Sequence, residues 1–447
     1  MRVNRLLLTL PLALVLFVGV PVSTAPPRGQ AAAATATLPD GIALSAPESV
    51  GFSGDSLKEL DNAMQGIVDA RQLAGVVTLV ARHGKVVQHK AYGVQDIATQ
   101  APMRLDTIVR IYSMTKPIAG AAMMMLYEEG KWLPGDPIAK HIPEFANLKV
   151  FSGMDANGQP ILVAPNHPPT MGELMSHNAG FTYGLFGNSA VDKIYQAEKP
   201  LDAPSLQAFV DKMAKMPLLY QPGEKWVYSV SVDIQGYLVQ KLSGKTFPDF
   251  LRDRIFTPLG MKDTEFFVPA AKLSRVSTIY SWDMATRALK GAPHDPGIGA
   301  MPGLPSGGGG LYSTAADYFR FAQMMLNGGE LNGTRLLKNT TVAMMRTNVL
   351  NDQTLNSKSG IGPVHLQPGL GFGYDFAVMS DPAALKSPLG KGSYWWWGIA
   401  GTWFWNDPTN DLLFIGMIQR RGGVPGAANH EDLARAAVYK ALVDPAR

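Results

Sequence analysis

Ile111-Tyr112-Ser113-Met114-Thr115-Lys116-Pro117-Ile118-Ala119-Gly120 is the stretch around which the rest of this chain arranges itself. The residues from Ala119 to Glu128 are mostly strong helix formers, and Gly130 supplies a stop. Pro117 has no N–H and is tolerated only in a first turn, so a helix has to begin close to Ser113. A proline also disfavours helical geometry at the residue before it, here Lys116, which is a tension in that reading. Ser113 and Lys116, three apart, share a face of the turn. A serine hydroxyl becomes a nucleophile when a neighbour takes its proton, and a lysine at a desolvated, positive helix start can be that neighbour. Ser-x-x-Lys occurs once in the chain. Taken alone it also reads as a serine cap beside a solvated lysine.

Outward from this stretch, Met1 to Ala36 carries Arg2 and Arg5, an apolar run Leu6 to Val20 and an alanine-rich end. It reads as a bacterial secretory signal cleaved near Thr37, and hence a periplasmic or secreted protein. A retained anchor helix is the competing reading, weakened by Pro11 and Pro21 and by the shortness of the run. With 0 cysteines, disulfides, thiolate metal sites and a cysteine nucleophile are excluded. Lys and Arg number 40 against 36 Asp and Glu, and without the signal the charge is near neutral. No basic run marks a nucleic-acid partner, and no later apolar stretch is long enough to span a membrane. No internal repeat is present.

Asp55 to Arg71 has Leu57, Leu60, Met64 and Ile67 at helical spacing. Leu73 to Val80 and Val86 to Tyr92, joined by Arg82-His83-Gly84-Lys85, predict a hairpin. From Trp132 onward helices alternate with Pro- and Gly-rich loops: Met171 to Ser176, Leu206 to Met216, Val232 to Leu242, and a helix opened by a capping box at Thr314 to Asp317. Strands return at Gly371 to Met379, Gly392 to Asn406 and Leu412 to Gln419, before a last helix from Glu431 to Val443. Two early and three late strands predict an α+β fold. One antiparallel sheet is built from both chain ends (37–131 and 370–447), flanked by helices, with a mainly helical domain inserted at 132–369 and the site in the cleft between them.

Two further stretches can carry chemistry. At Trp226-Val227-Tyr228-Ser229 a tyrosine precedes a helix; beside positive charge it can act as a general base, and otherwise it is a packed aromatic. At Trp395-Trp396-Trp397-Gly398-Ile399-Ala400-Gly401-Thr402 an aromatic strand runs into small residues, which let a carbonyl approach backbone N–H groups. Trp395 and Trp396 read as core residues. Gly-x-Ser-x-Gly is absent, which disfavours an α/β-hydrolase, and no His-Glu-x-x-His is present.

These stretches, in this order, resemble the class C β-lactamase and penicillin-binding-protein-like serine hydrolases, especially the family VIII carboxylesterases. The likeness includes Leu174-Met175-Ser176-His177-Asn178-Ala179-Gly180, Pro258-Leu259-Gly260-Met261, Gly308 to Leu311 with Ser313 to Asp317, and Asp407-Pro408. It implies a serine β-lactamase-like fold and no cofactor or metal. Ser113 would be the acylated nucleophile and Lys116 with Tyr228 the base pair. The oxyanion hole would be the N–H groups of Ser113 and Ala400, or Ile399 if the third motif is shifted by one. Trp397, Gly398, Ile399, Tyr183 and His177 would form the substrate pocket, His177 as a loop-shaping residue rather than a base. Phe186, Trp226 and Tyr312 are further candidate acyl-pocket aromatics.

Two departures set the expected substrate. Val230 replaces the family's Asn, and Trp397-Gly398-Ile399 stands where the lactamases have Lys-Thr-Gly. An apolar wall in place of a cation favours small-molecule, short-chain esters over anionic lactams. Arg420 and Arg421 either restore some anion binding or are solvated strand-end charges. A lactamase, a D-amino-acid peptidase or an acyltransferase on the same machinery is the nearest alternative. A penicillin-binding sensor without turnover is a further one.

Overall fold

Every residue of Gly75–Arg82 is buried, because this strand is covered on both faces. Val76 and Val80 face one core and Val77, Leu79 and Ala81 face another, the period-2 alternation of a pleated strand. The protein is described here by a computed structural model covering residues 36–38, 40–356, 362 and 366–445. Apart from Ala36, the expected signal lies outside them. The described chain belongs to one compact unit.

The central sheet has ten strands: β1 (Ala36–Thr37), β2 (Ala43–Leu44), β3 (Gly75–Arg82), β4 (Lys85–Asp96), β5 (Ala101–Pro102), β6 (Leu370–Phe372), β7 (Ala377–Met379), β8 (Tyr394–Trp397), β9 (Trp403–Asp407) and β10 (Leu412–Met417). Their order is β1-β2-β4-β3-β10-β9-β8-β7-β6, with β5 on β4. All pairings are antiparallel except β2 with β4. The sheet therefore joins both ends of the chain through β3 and β10, as the sequence reading expects.

Three details differ from expectation. Gly371 to Met379 and Gly392 to Asn406 are hairpins rather than single strands, giving five early and five late strands. The second is turned by Gly398 to Thr402, where Gly398 N–H bonds Thr402 O and Gly401 takes φ +85°. The middle of the chain contains small hairpins as well as helices, including Val150–Met154 with Pro160–Val163 and Tyr280–Asp283 with Ala288–Gly291. The capping box at Thr314 is half formed. Thr314 Oγ1 accepts the Asp317 N–H, but the Asp317 carboxylate serves Asp263 N–H and Thr264 Oγ1 instead.

Six helices position the site: α1 (Gly54–Asp69), α2 (Thr115–Glu128), α3 (Met171–Met175), α4 (Ser231–Ser243), α5 (Ala315–Leu326) and α6 (His430–Lys440). Helices α1 and α6 pack together and share a core with Val76, Val80, Trp403 and Phe414. On the other face α5 packs against β3, β9 and β10, and α2 packs against α4. Helix α5 thus comes from the segment expected to be inserted, yet it covers the sheet.

Candidate active site

Ser113 lies in a short 3-10 turn, Tyr112–Met114, that runs directly into α2. Pro117 occupies the third position of that helix, where its missing N–H leaves no bond unmade, so Lys116 is helical after all. Tyr112 takes φ +44°, a left-handed conformation that is costly for a residue with a Cβ. The turn is braced on several sides. Ile111 N–H bonds Leu311 O, Tyr318 Oη donates to Met114 O at 3.0 Å, and Thr402 Oγ1 donates to Ile111 O at 3.2 Å.

Lys116 is buried, and its Nζ lies 3.2 Å from Ser113 Oγ and 2.6 Å from Gly308 O. The amine also sits 4.6 Å from the ring centre of Tyr228 and 5.2 Å from that of Tyr183. The Gly308 backbone is itself anchored, through its N–H, by a buried carboxylate that the sequence alone does not single out. Asp233, on α4, accepts the Gly308 N–H at 3.0 Å, the Ser306 hydroxyl, and the Tyr183 hydroxyl at 3.3 Å. Burial raises the Asp233 pKa, and the nearby Lys116 offsets part of that rise. A Cβ on Gly308 would lie 2.5 Å from Tyr183 Oη and 2.6 Å from Asp233 Oδ2, so the approach needs glycine.

Tyr228 precedes α4, with its ring buried. Its hydroxyl accepts a hydrogen bond from Trp396 Nε1 at 3.1 Å. Trp396, read from sequence as core, is therefore both buried and part of the site. Trp397 stacks on it at 4.7 Å.

His177 does not line the pocket expected for it. It is fully enclosed 5.0 Å from the Tyr228 ring, and its Nδ1 accepts the Ser229 N–H at 3.2 Å. Burial, with the Lys116 charge second, pushes its pKa well below 6.5, so it is a neutral spacer that shapes the Tyr228 loop.

Above Ser113 a cavity of about 250 Å³ opens to solvent, lined by Arg110, Tyr112, Ser113, Tyr183, Leu185, Phe186, Leu201, Tyr228, Ser306, Gly308, Gly309, Trp396, Trp397 and Ile399. Of the expected pocket residues, Tyr183, Trp397 and Ile399 line it. Gly398 does not, because its backbone packs on Ile111; a Cβ there would fall 2.4 Å from Ile111 O. Trp226 is buried behind Tyr228 at 6.0 Å, and Tyr312 lies beside Arg110, facing a neighbouring cleft. Neither the Ile399 nor the Ala400 N–H donates to an acceptor among the described residues. Ala400 is buried and its carbonyl is held by Arg420 N–H at 2.8 Å, while the Ile399 side chain is exposed.

The two strand-end arginines part company. Arg420 is spent on the Gln72 and Gly422 carbonyls. Arg421 donates to Tyr112 Oη at 2.5 Å, and the guanidiniums of Arg421 and Arg110 lie 5.2 and 4.8 Å from the Tyr112 ring centre. Among the described residues no cluster of His, Asp and Glu suited to a metal is found.

The arrangement is a serine with a buried amine beside it, under an aromatic cavity whose lining includes Ile399. Comparison with known proteins places it. The family model described as Beta-lactamase matches residues 60–439. Protein Rv1367c of Mycobacterium tuberculosis is 34% identical over 367 residues, covering 80% of this chain and 88% of that protein. Esterase EstB of Burkholderia gladioli is 30% identical over 367 residues, covering 77% and 86%. Among solved structures, EstCE1, described as a hydrolase with promiscuous acyltransferase activity, superposes with a TM-score of 0.70 at 24% identity, covering 86% of this chain and 99% of that one. With its Ser113-x-x-Lys116 pair at the head of α2 and its sheet closed by both chain ends, the chain belongs to the β-lactamase family.

Proposed function

We propose that this protein is a serine esterase that cleaves short-chain carboxylic esters through an acyl-enzyme on Ser113. The observation that carries the reading is the 3.2 Å approach of Lys116 Nζ to Ser113 Oγ beneath a cavity walled by Trp397, Trp396 and Tyr183. Lys116 and Tyr228 act as the base pair: they take the Ser113 proton as Oγ attacks the ester carbonyl, and they return it to the departing alcohol. The N–H groups of Ser113 and Ala400 stabilise the oxyanion in between. Water, activated by the same pair, then releases the acid. Esterase EstB, a 30% identical relative, supports ester chemistry. Exported by its N-terminal signal, the enzyme works in the periplasm or outside the cell.

Arg110 and Arg421 support a second reading. Their guanidiniums flank Tyr112, which lines the cavity, and would attract an anionic lactam or peptide carboxylate. An assay of the mature protein on a short-chain aryl ester and a chromogenic cephalosporin, with mass spectrometry of the enzyme, separates the two. Fast ester turnover that is lost in Ser113→Ala while the fold is kept is expected. Faster lactam turnover would favour the second reading, and a lasting adduct without turnover would make the protein a sensor. Activity surviving in Ser113→Ala would sink the nucleophile assignment.

A further inference from the structure

Large apolar side chains exposed singly need no explanation, but several converging on one opening do. Around the cavity above Ser113, Leu185 is 67% exposed, Ile399 56%, Phe186 42% and Leu201 37%. They come from three separate segments: the loop before Ala190–Glu198, the 3-10 turn Pro200–Asp202 that follows it, and the turn between β8 and β9. Phe186 also packs edge-on against Tyr228, with ring centres 5.6 Å apart, so this rim is continuous with the catalytic wall. The cavity inside is only about 250 Å³, below the usual range for sites that enclose a whole small ligand.

From this geometry we infer that the substrate is a lipophilic ester: a short portion enters the cavity, and an extended apolar portion lies across the collar of Leu185, Phe186, Leu201 and Ile399. The inference rests on the esterase reading and adds the substrate class to it. Four apolar side chains held out in water around a mouth gain stabilisation only when an apolar surface covers them, and a substrate anchored at Ser113 is placed to do so. Among the described residues Arg110 is the one charged residue in the cavity lining, and none of the four collar residues carries a charge. The apolar chain can belong to the acid or to the alcohol of the ester, and the test separates the two.

The test measures kcat/KM below the micellar limit for two series, aryl esters of increasing acyl length and acetates of increasing alcohol length. Each methylene half-covered by the collar should raise kcat/KM about twofold, over several methylenes, in one of the two series. In the double variant Leu185→Ser/Leu201→Ser, and separately in Ile399→Ser, that slope should flatten towards one. Met284→Ser, at an exposed apolar residue that does not line the cavity, should leave the slope unchanged. Leu185, Ile399 and Met284 are more than half exposed and Leu201 about a third, so the variants are expected to fold, and melting temperatures check this. A flat wild-type dependence in both series would overturn the inference, as would a slope that survives the double variant. Failure of the wild type to hydrolyse even acetate esters, or equal rates in Ser113→Ala, would instead remove the esterase reading on which it stands.

Discussion

Replacing Asp233 by alanine tests how the lysine is held. The carboxylate accepts from Ser306, Gly308 and Tyr183 within a closed interior, and it is not part of the cavity wall. Removing it leaves those donors without their acceptor at about 1–3 kcal/mol each. Ser306, Gly308 and Tyr183 all border the cavity, so water can replace part of what is lost, and roughly 2–4 kcal/mol of destabilisation remains. In a protein of this size that lowers the melting temperature by about 2–5 °C. The larger effect is on chemistry. Gly308 O fixes Lys116 Nζ at 2.6 Å, and once the loop is released the amine is free to drift from Ser113 Oγ. A displacement of the base by about 1 Å costs on the order of 100-fold in kcat. KM should change little, since Asp233 does not border the substrate. Asp233→Asn keeps an oxygen for Ser306 and Gly308 and should recover most of the loss. The assay is steady-state ester hydrolysis at a temperature well below the lower melting point. A kcat for Asp233→Ala within about threefold of wild type, under a base-positioning effect expected to be far larger, would refute this account of Lys116. An asparagine variant as slow as alanine would show that the charge matters rather than the hydrogen bonds.

Two further outcomes follow from single contacts. Trp396→Phe removes the indole N–H from the Tyr228 hydroxyl but keeps a ring between Phe372 and Trp397, so kcat should fall roughly 5- to 10-fold with KM nearly constant, as read by steady-state kinetics. Glu431, near the start of α6, has its pKa pushed up to about 7 by burial, the nearby Arg435 only partly offsetting it. A carboxyl whose folded pKa is raised binds more protons in the native state than in the unfolded chain, so stability is lost as pH rises from about 4.5 towards 7. Glu431→Gln should therefore show a smaller drop in melting temperature between pH 4.5 and 8 than wild type, measured by scanning calorimetry. An equal drop would mean that Glu431 ionises freely.

The outline of the fold was legible because its signals are local. The β3–β4 hairpin shows as two β-rich runs around Arg82-His83-Gly84-Lys85, and α1 as apolar residues at helical spacing. The Ser113–Lys116 approach was legible too, since Pro117 fixes where α2 begins. What escaped depends on contacts between distant residues. Nothing in the pattern around Asp233 distinguishes a carboxylate that holds a loop more than seventy residues away from an ordinary helix-start acid. The Trp396 indole could be placed only once β8 was seen beside Tyr228. His177 was sequestered by a left-handed turn, φ +58°, that turns its ring into the Tyr228 loop rather than towards the substrate. In sequence the two late hairpins look like single strands because their turn residues, such as Gly373 and Gly398, sit inside strongly apolar runs.

The pairing of β3 with β10 joins residues more than three hundred positions apart, Val80 with Phe414 and Leu79 with Ile415. Such a contact forms late, after a long loop has been closed, and it makes the folding of this chain slow and dependent on its last strands. Until β10 arrives, the edge of β3 is bare and the Gly398 to Thr402 turn has no sheet to hold it against Ile111. Ser113 and Lys116, synthesised early, therefore stay chemically incomplete while the rest of the chain is made. Recovery of ester hydrolysis during refolding should lag behind helix formation and coincide with sheet closure, so that activity itself reports the last step of folding.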